Sequence, residues 1–134
     1  MGNILKLTSP ICPSVNHYLG WRGIIKGGKP MAVSYKKPEA VKYQKKFSEY
    51  VKKEAKEQGW IKSDNKSQHY YMDCTFYFDR VDKDANNVFK CLADAITDSG
   101  SVWIDDTQLC ERVQAIYYDS ENPRIEIIIR PTDY

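Results

Sequence analysis

The sequence lacks several features that define whole classes of protein. None of its four cysteines stands in a Cys-x-x-Cys pair, so neither a zinc site nor a dithiol redox motif is indicated. No run of 18 apolar residues is present, and the N-terminal stretch has no apolar segment typical of a signal peptide. The chain also has no repeat and no linker. We therefore expect an intracellular, cytoplasmic protein with reduced thiols.

The length and charge of the chain indicate its size and its partners. A chain of 134 residues with 42% hydrophobic residues suits one domain, which we expect to span residues 1–134. Residues 1–63 carry 13 Lys or Arg and 4 Asp or Glu, whereas residues 64–134 carry 7 and 14. A basic half suits a polyanion and an acidic half suits cations. Alternatively, the two halves interleave in the folded chain and their charges cancel.

The pattern of apolar residues predicts four strands and two helices. Alternation predicts strands at residues 3–8, 70–78, 108–118 and 124–130. Helical spacing predicts a first helix between Pro38 and Gly59, because proline suits a first turn and glycine a C-terminal cap. A second helix is predicted to begin at Asp84, whose carboxylate would cap it. The order β-α-β-α-β-β favours an α+β fold with two helices packed on a mixed β-sheet.

The second helix is amphipathic. At about 100° per residue, six apolar residues fall in an arc of about 120° that forms a core-facing stripe. These are Ala85, Val88, Phe89, Leu92, Ala95 and Ile96. Asn87, Lys90 and Asp94 lie on the opposite side, where Lys90 and Asp94 are i,i+4 neighbours. Taken alone, this pattern is typical of a surface helix with an ordinary ion pair. The alternative is a cation site, which requires the carboxylates of Asp84 and Asp106 to lie close together in the folded chain.

Residues 19–37 are predicted to form a glycine-rich, basic loop. Its cations suit phosphate groups, and its aromatic residues suit stacking on bases. The cations are Arg22, Lys26, Lys29, Lys36 and Lys37. The alternative is a solvated loop without a partner.

The region from Asp84 to Asp106 resembles the motif of the RusA family of Holliday-junction resolvases. The family motif is Asp-x-Asp-Asn-x-x-Lys-x-x-x-Asp-x-Leu, followed shortly by an Asp-Asp pair. The matching residues here are Asp84, Asn87, Lys90, Asp94, Asp105 and Asp106. One position departs from the motif, because Asn86 stands where the family has its second Asp.

The N-terminal region carries a second part of the resemblance. Residues 13–18, Pro-Ser-Val-Asn-His-Tyr, look like the family's N-terminal Pro-Ser-x-Asn-x-Tyr motif. The resemblance would place Asn16 and Tyr18 at the active site or against DNA. From chemistry alone, a Pro-Ser-Val-Asn stretch is a turn.

The resemblance implies a structure-specific endonuclease of DNA recombination and repair, often encoded by phages or prophages. Such proteins are homodimers that bind four-way junctions and make paired symmetric nicks with Mg²⁺ or Mn²⁺. It implies metal ligands at Asp84, Asn86, Asp105 and Asp106. Lys90 would stabilise the charge that develops on the phosphate, and Asp94 and Asn87 would support the site.

Asn86 leaves the activity of this chain open. An amide oxygen coordinates a cation without contributing charge, so metal affinity should fall. The chain would then be an engineered inactive variant, a natural protein of weakened activity, or a natural site compensated by Asp82 or Asp105. Two other functions are a non-catalytic junction-binding protein and a small α+β domain that binds another protein and no DNA.

Overall fold

The computed structural model describes residues 3–12, 19–26, 28–36, 38–81, 85 and 88–134. The strands are β1 (Leu5–Ser9), β2 (Leu19–Lys26), β3 (Lys29–Lys36), β4 (Tyr70–Phe78), β5 (Leu109–Tyr118) and β6 (Arg124–Pro131). The helices in this part of the chain are α1 (Pro38–Glu57) and α2 (Phe89–Asp98), and a 3₁₀ turn spans Asp106–Gln108. The α+β fold is as predicted and, apart from β2 and β3, so is the order of strands and helices.

The main sheet has the strand order β1-β6-β4-β5. Strand β4 alternates strictly between buried and half-buried residues, as the period-two pattern predicted. It is antiparallel to β6 and parallel to β5, so the sheet is mixed. Parallel neighbours need a crossover connection, and α2 lies in that crossover. Because Leu109 pairs with Tyr70, the chain returns from α2 to the beginning of β4.

The two helices and the sheet share one hydrophobic core. Helix α1 buries Phe47, Val51 and Ala55, and α2 buries Leu92 and Ile96 against the same cluster. All six residues of the predicted apolar stripe are buried. Burying a large aliphatic or aromatic side chain stabilises a fold by about 1.5–3 kcal/mol. This core therefore fixes where the polar side of α2 lies.

Helix α1 ends as its sequence predicted. Gly59 has φ 72°, the left-handed conformation that favours glycine at the end of a helix. The backbone N–H of Trp60 then donates to the carbonyl of Ala55 at 2.9 Å. This turn directs the chain from α1 toward the loop at residues 61–69.

The prediction of a loop at residues 19–37 is wrong. Strands β2 and β3 form an antiparallel hairpin, which is a separate two-stranded sheet. Gly28 at its turn has φ 77°, and the register places Lys26 opposite Lys29. Four glycines and several lysines obscured the strand pattern, because both residue types are depleted in strands.

The predicted start of the second helix is also wrong. Helix α2 begins at Phe89, and its cap residue Val88 makes no side-chain capping bond. Asp84 is therefore not the capping residue, although capping aspartates are common at helix N-termini. The motif positions 84 and 86 precede Phe89 and lie outside the described residues.

A bulge in β5 changes which side chains share a face. The register with β4 shifts between Cys74 and Thr75, so Val113 and Ile116 share the face of the sheet that carries the buried Cys74 and Phe76, although both are themselves exposed. Ala115 lies on the opposite face from Val113, because the extra residue reverses the alternation. Upstream of the bulge, Glu111 is opposite the buried Met72 and so points to the helix side of the sheet.

The cysteines are free thiols, as predicted. Cys12, Cys74 and Cys91 are buried, and desolvation raises the pKa of Cys12 to about 12. A thiol with so high a pKa is unreactive at neutral pH. No helix in the described residues has the length and apolar character needed to cross a membrane.

Candidate active site

The predicted acidic pair lies in a tight turn before β5. Asp105 has extended backbone geometry, and its side chain accepts a hydrogen bond from the Thr107 N–H at 3.3 Å. The side chain of Gln108 accepts a bond from the Asp105 N–H in return, at 3.1 Å. These reciprocal bonds form a capping box. The capping box therefore fixes the backbone conformation of Asp105 and Asp106.

Gln108 connects this acidic turn to the loop that precedes β4. Its side-chain oxygen accepts bonds from the N–H groups of Ile104 and Asp105, at 2.9 and 3.1 Å. Its amide nitrogen donates to the carbonyls of Asn65 and Gln68, at 3.2 and 2.7 Å. The residue is only 2% exposed, so water does not compete for these bonds. Gln108 therefore holds two segments together that are about 40 residues apart in sequence.

We expect Gln108→Leu to lower the free energy of unfolding by about 2–4 kcal/mol. Leucine is similar in size, but the substitution removes the partners of two N–H groups and two carbonyls, each costly when left unsatisfied. Urea denaturation followed by fluorescence measures this change.

Gln58→Leu is the matched control for this substitution. The Gln58 amide also bonds a backbone N–H and carbonyl, both on Lys6, but at an exposed position. Water replaces those bonds, so we expect a loss below about 1 kcal/mol. Equal losses in the two variants would show that Gln108 does not anchor the acidic turn.

Lys90 and Asp94 form the predicted i,i+4 ion pair on the exposed side of α2. The Lys90 ammonium lies 3.6 Å from a carboxylate oxygen of Asp94, and the Lys90 side chain is 57% exposed. A pair this exposed adds only about 0.3–0.5 kcal/mol to stability. Its main effect is to restrict where the Lys90 ammonium lies.

The carboxyl group of Asp106 lies close to this ion pair. The 3₁₀ turn contacts α2, and three charged neighbours affect the ionisation of Asp106. A hydrogen bond with the Asp105 side chain raises the pKa of Asp106 most, followed by desolvation and by repulsion from Asp105 and Asp94. Lys90 lowers it. The same hydrogen bond lowers the pKa of Asp105.

Two charged residues join this group that the sequence did not indicate. Glu111 has a raised pKa, first through desolvation and then through repulsion from Asp106. Lys66 lies near Asp105 and lowers the pKa of that residue. Neither belongs to the motif, and both are placed by the sheet and by the bonds of Gln108. The Asp-x-x-Gln spacing of the capping box, in contrast, was readable from the sequence.

The structure therefore brings together the described part of the predicted site. Lys90, Asp94, Asp105 and Asp106 form one charged group at the junction of α2 and the acidic turn. The predicted residues Asp84, Asn86, Asn87, Asn16, Tyr18 and Lys37 lie outside the described residues, and so does Asp82. The shared metal site of Asp84 and Asp106 stays a prediction. Among the described residues, no three His, Cys, Asp or Glu side chains are arranged to hold a metal ion.

The predicted DNA-binding cations of residues 19–36 lie on the hairpin. Arg22 and Lys26 belong to β2, and Lys29 and Lys36 belong to β3. The backbone register sets Lys26 opposite Lys29 beside the hairpin turn. Their contact with DNA stays a prediction.

Comparison with known proteins supports the motif assignment. A family model described as Endodeoxyribonuclease RusA matches residues 11–130, which is most of the chain. The matched range includes the acidic turn, α2 and the hairpin. A comparison with curated proteins found no match to this chain. The resemblance inferred from the motif is confirmed by the family model.

Proposed function

Because this chain belongs to the RusA family of endodeoxyribonucleases, we propose that it is a metal-dependent endonuclease that resolves four-way DNA junctions. It would do so by paired symmetric nicks during recombination or repair. The observation that carries the proposal is the grouping of Lys90, Asp94 and Asp106. The spacing of these residues in the sequence allows the grouping but does not require it. The Lys90–Asp94 ion pair and the effects of both residues on the pKa of Asp106 support it.

The carboxylates of this group suit a hard divalent cation. Asp105 raises the pKa of Asp106 first through a hydrogen bond and then by repulsion, Asp94 adds further repulsion, and Glu111 lies near the same carboxyl group. A cation would relieve this repulsion between the carboxylates. Carboxylate oxygens are also the ligands that Mg²⁺ prefers. We therefore assign Asp106 and Asp84 as ligands of Mg²⁺ or Mn²⁺, with Asp105 and position 86 as further ligands.

Each residue of the group has a defined role in phosphodiester hydrolysis. When bound, the cation supplies positive charge that activates a water molecule and neutralises the scissile phosphate. The Lys90 ammonium stabilises the negative charge that develops on the phosphate oxygens. Asp94 holds Lys90 in place through their ion pair. Asp105 uses one oxygen for the capping bond to Thr107, which keeps Asp106 turned toward α2.

We propose a homodimer as the active form. A four-way junction is pseudo-symmetric, and two paired nicks need two active sites related by a two-fold axis. Each subunit would contribute one such site. The hairpin lysines and the N-terminal residues Asn16 and Tyr18 would contact the DNA.

Two assays test this proposal. A gel shift that compares a four-way junction with a linear duplex of the same arms measures structure-specific binding. Cleavage of the same junction across a Mg²⁺ titration measures catalysis. Binding without nicking at every metal concentration would favour a non-catalytic junction-binding protein, a function that the neutral Asn86 favours. No preference for the junction would contradict both functions.

We expect Asn86→Asp to raise Mg²⁺ affinity and junction nicking by roughly 10- to 30-fold. A unit negative charge about 4 Å from a divalent cation gains about 2 kcal/mol even in a medium with the dielectric constant of water. Position 86 precedes Phe89, the first residue of α2, and stands where the family motif has an Asp. Junction binding without metal should be unchanged or weaker, because the added charge repels phosphate.

Asn122→Asp is the matched control, since it adds the same charge at an exposed turn outside the motif. Single-turnover nicking across a Mg²⁺ titration distinguishes the two variants. If Asn86→Asp nicks no faster than the unmodified chain at any metal concentration, position 86 is not a ligand.

A further inference from the structure

A cavity lies beside the C-terminal half of α1, outside the charged group described above. It has a volume of about 490 Å³ and is open to solvent. Its lining residues are Lys52, Ala55, Lys56, Trp60, Lys62 and Ser101. We call this cavity the lysine cleft. Among the described residues that line it, Lys52, Lys56 and Lys62 are cationic and none is a carboxylate.

The walls of the lysine cleft are fixed by hydrogen bonds. The Trp60 indole N–H donates to the carbonyl of Val102 at 3.0 Å and is buried. The Lys62 ammonium donates to the carbonyl of Gly100 at 2.9 Å, which leaves two of its three N–H donors for another acceptor. The cleft is therefore shaped before any ligand binds.

The positive charge of the cleft is not neutralised within the described part of the chain. Lys52 and Lys56 are i,i+4 neighbours of like charge, an arrangement that disfavours the helix. Neither pairs with a carboxylate there, whereas the adjacent Lys53 pairs with Glu57. An anion bound between these two lysines and Lys62 would remove the repulsion.

The lysine cleft is also close to the acidic turn. Ser101 and Asp106 are five residues apart, so their Cα atoms lie at most roughly 17 Å apart. That is about half of a helical turn of duplex DNA, which repeats every ~34–36 Å. Lys66, on the same loop as Lys62, lies near Asp105. One loop therefore carries both Lys66, near the acidic turn, and Lys62, which lines the lysine cleft.

We propose that the lysine cleft binds backbone phosphates of the duplex arm that flanks the cleavage site. This inference rests on the proposed junction endonuclease function. Lysine ammonium groups act as point charges without base readout, so the contact would be independent of sequence and of branching. Its role would be to hold the arm in place while the charged group acts on the scissile phosphate.

The test uses the Lys52→Gln, Lys56→Gln, Lys62→Gln triple variant of the full chain. Glutamine keeps helix propensity close to that of lysine. The control is the Lys42→Gln, Lys45→Gln, Lys46→Gln triple variant, with the same change in net charge. Those lysines are exposed on α1, at least six residues and roughly 9 Å before Lys52. Fluorescence anisotropy across a salt series gives the Kd for a four-way junction and for a linear duplex.

We expect the cleft variant to weaken binding to both DNA forms at least tenfold. The slope of log Kd against log salt should flatten by about 2–3, because each lost phosphate contact removes about 0.9. The control should change the slope by less than 1. An equal loss in both triple variants would overturn the proposal, since the effect would then come from net charge. If the unmodified chain binds no junction, the proposed function itself fails.

Discussion

Asp106→Asn is expected to lower single-turnover nicking of a four-way junction by roughly 10²–10⁴-fold. The substitution removes a charged metal ligand, and a bound metal contributes several kcal/mol to the transition state of phosphoryl hydrolysis. The side-chain volume barely changes, so the capping box of Asp105 and Gln108 should persist. Junction binding without metal should hold or tighten, because a negative charge near the phosphate is lost.

The control for this variant is Asp98→Asn. Asp98 is an exposed carboxylate at the end of α2, so the same chemical change is made outside the charged group. We expect its nicking rate to stay within about twofold of the unmodified chain. Full activity of Asp106→Asn at saturating Mg²⁺ would remove Asp106 from the active site.

Lys90→Gln is expected to slow nicking by roughly 10²–10³-fold, the loss seen when one donor to a developing oxyanion is removed. Because Lys90 acts on charge that develops during the reaction, Kd for the junction should change by less than about threefold. The ion pair itself is too exposed for its loss to unfold α2. Rate and affinity are measured on the same junction at saturating Mg²⁺.

Lys53→Gln is a close structural match for that substitution. Lys53 also forms an exposed i,i+4 ion pair, with Glu57 at 3.9 Å. The Lys53→Gln substitution removes the same charge and the same kind of ion pair from α1. Lys53 has no proposed role at the acidic turn. Equal slowing in the two variants would assign the effect of Lys90 to general electrostatics.

Much of the fold was predictable because its signals are local. The alternation of β4 and the apolar stripe of α2 depend on side chains two to four residues apart, and burial follows directly from them. Gly59 was predictable for the same reason, since a left-handed residue after a helix favours glycine. The hairpin at residues 19–36 was missed because glycine and lysine weaken the strand pattern there.

The motif spacing predicted which residues form the candidate site but not how they are arranged. Lys90 and Asp94 are one helical turn apart, so their pairing follows from the sequence. The position of Asp106 beside them depends on how the chain returns from α2 to the sheet. Glu111 lies near Asp106 only because β5 runs parallel to β4 and the bulge in β5 comes after Glu111.

The sequence alone determined the family motif and the core-facing residues of β4 and α2, since each depends on neighbours a few residues apart. The tertiary structure alone decided that Gln108 binds the loop at residues 65–68, that Glu111 lies near Asp106, and that Lys62 and Lys56 line one cleft. These contacts join segments separated by many residues, and their formation depends on closing long loops against the core. The local spacing of residues therefore does not determine which of these long-range contacts give the folded chain its lowest free energy.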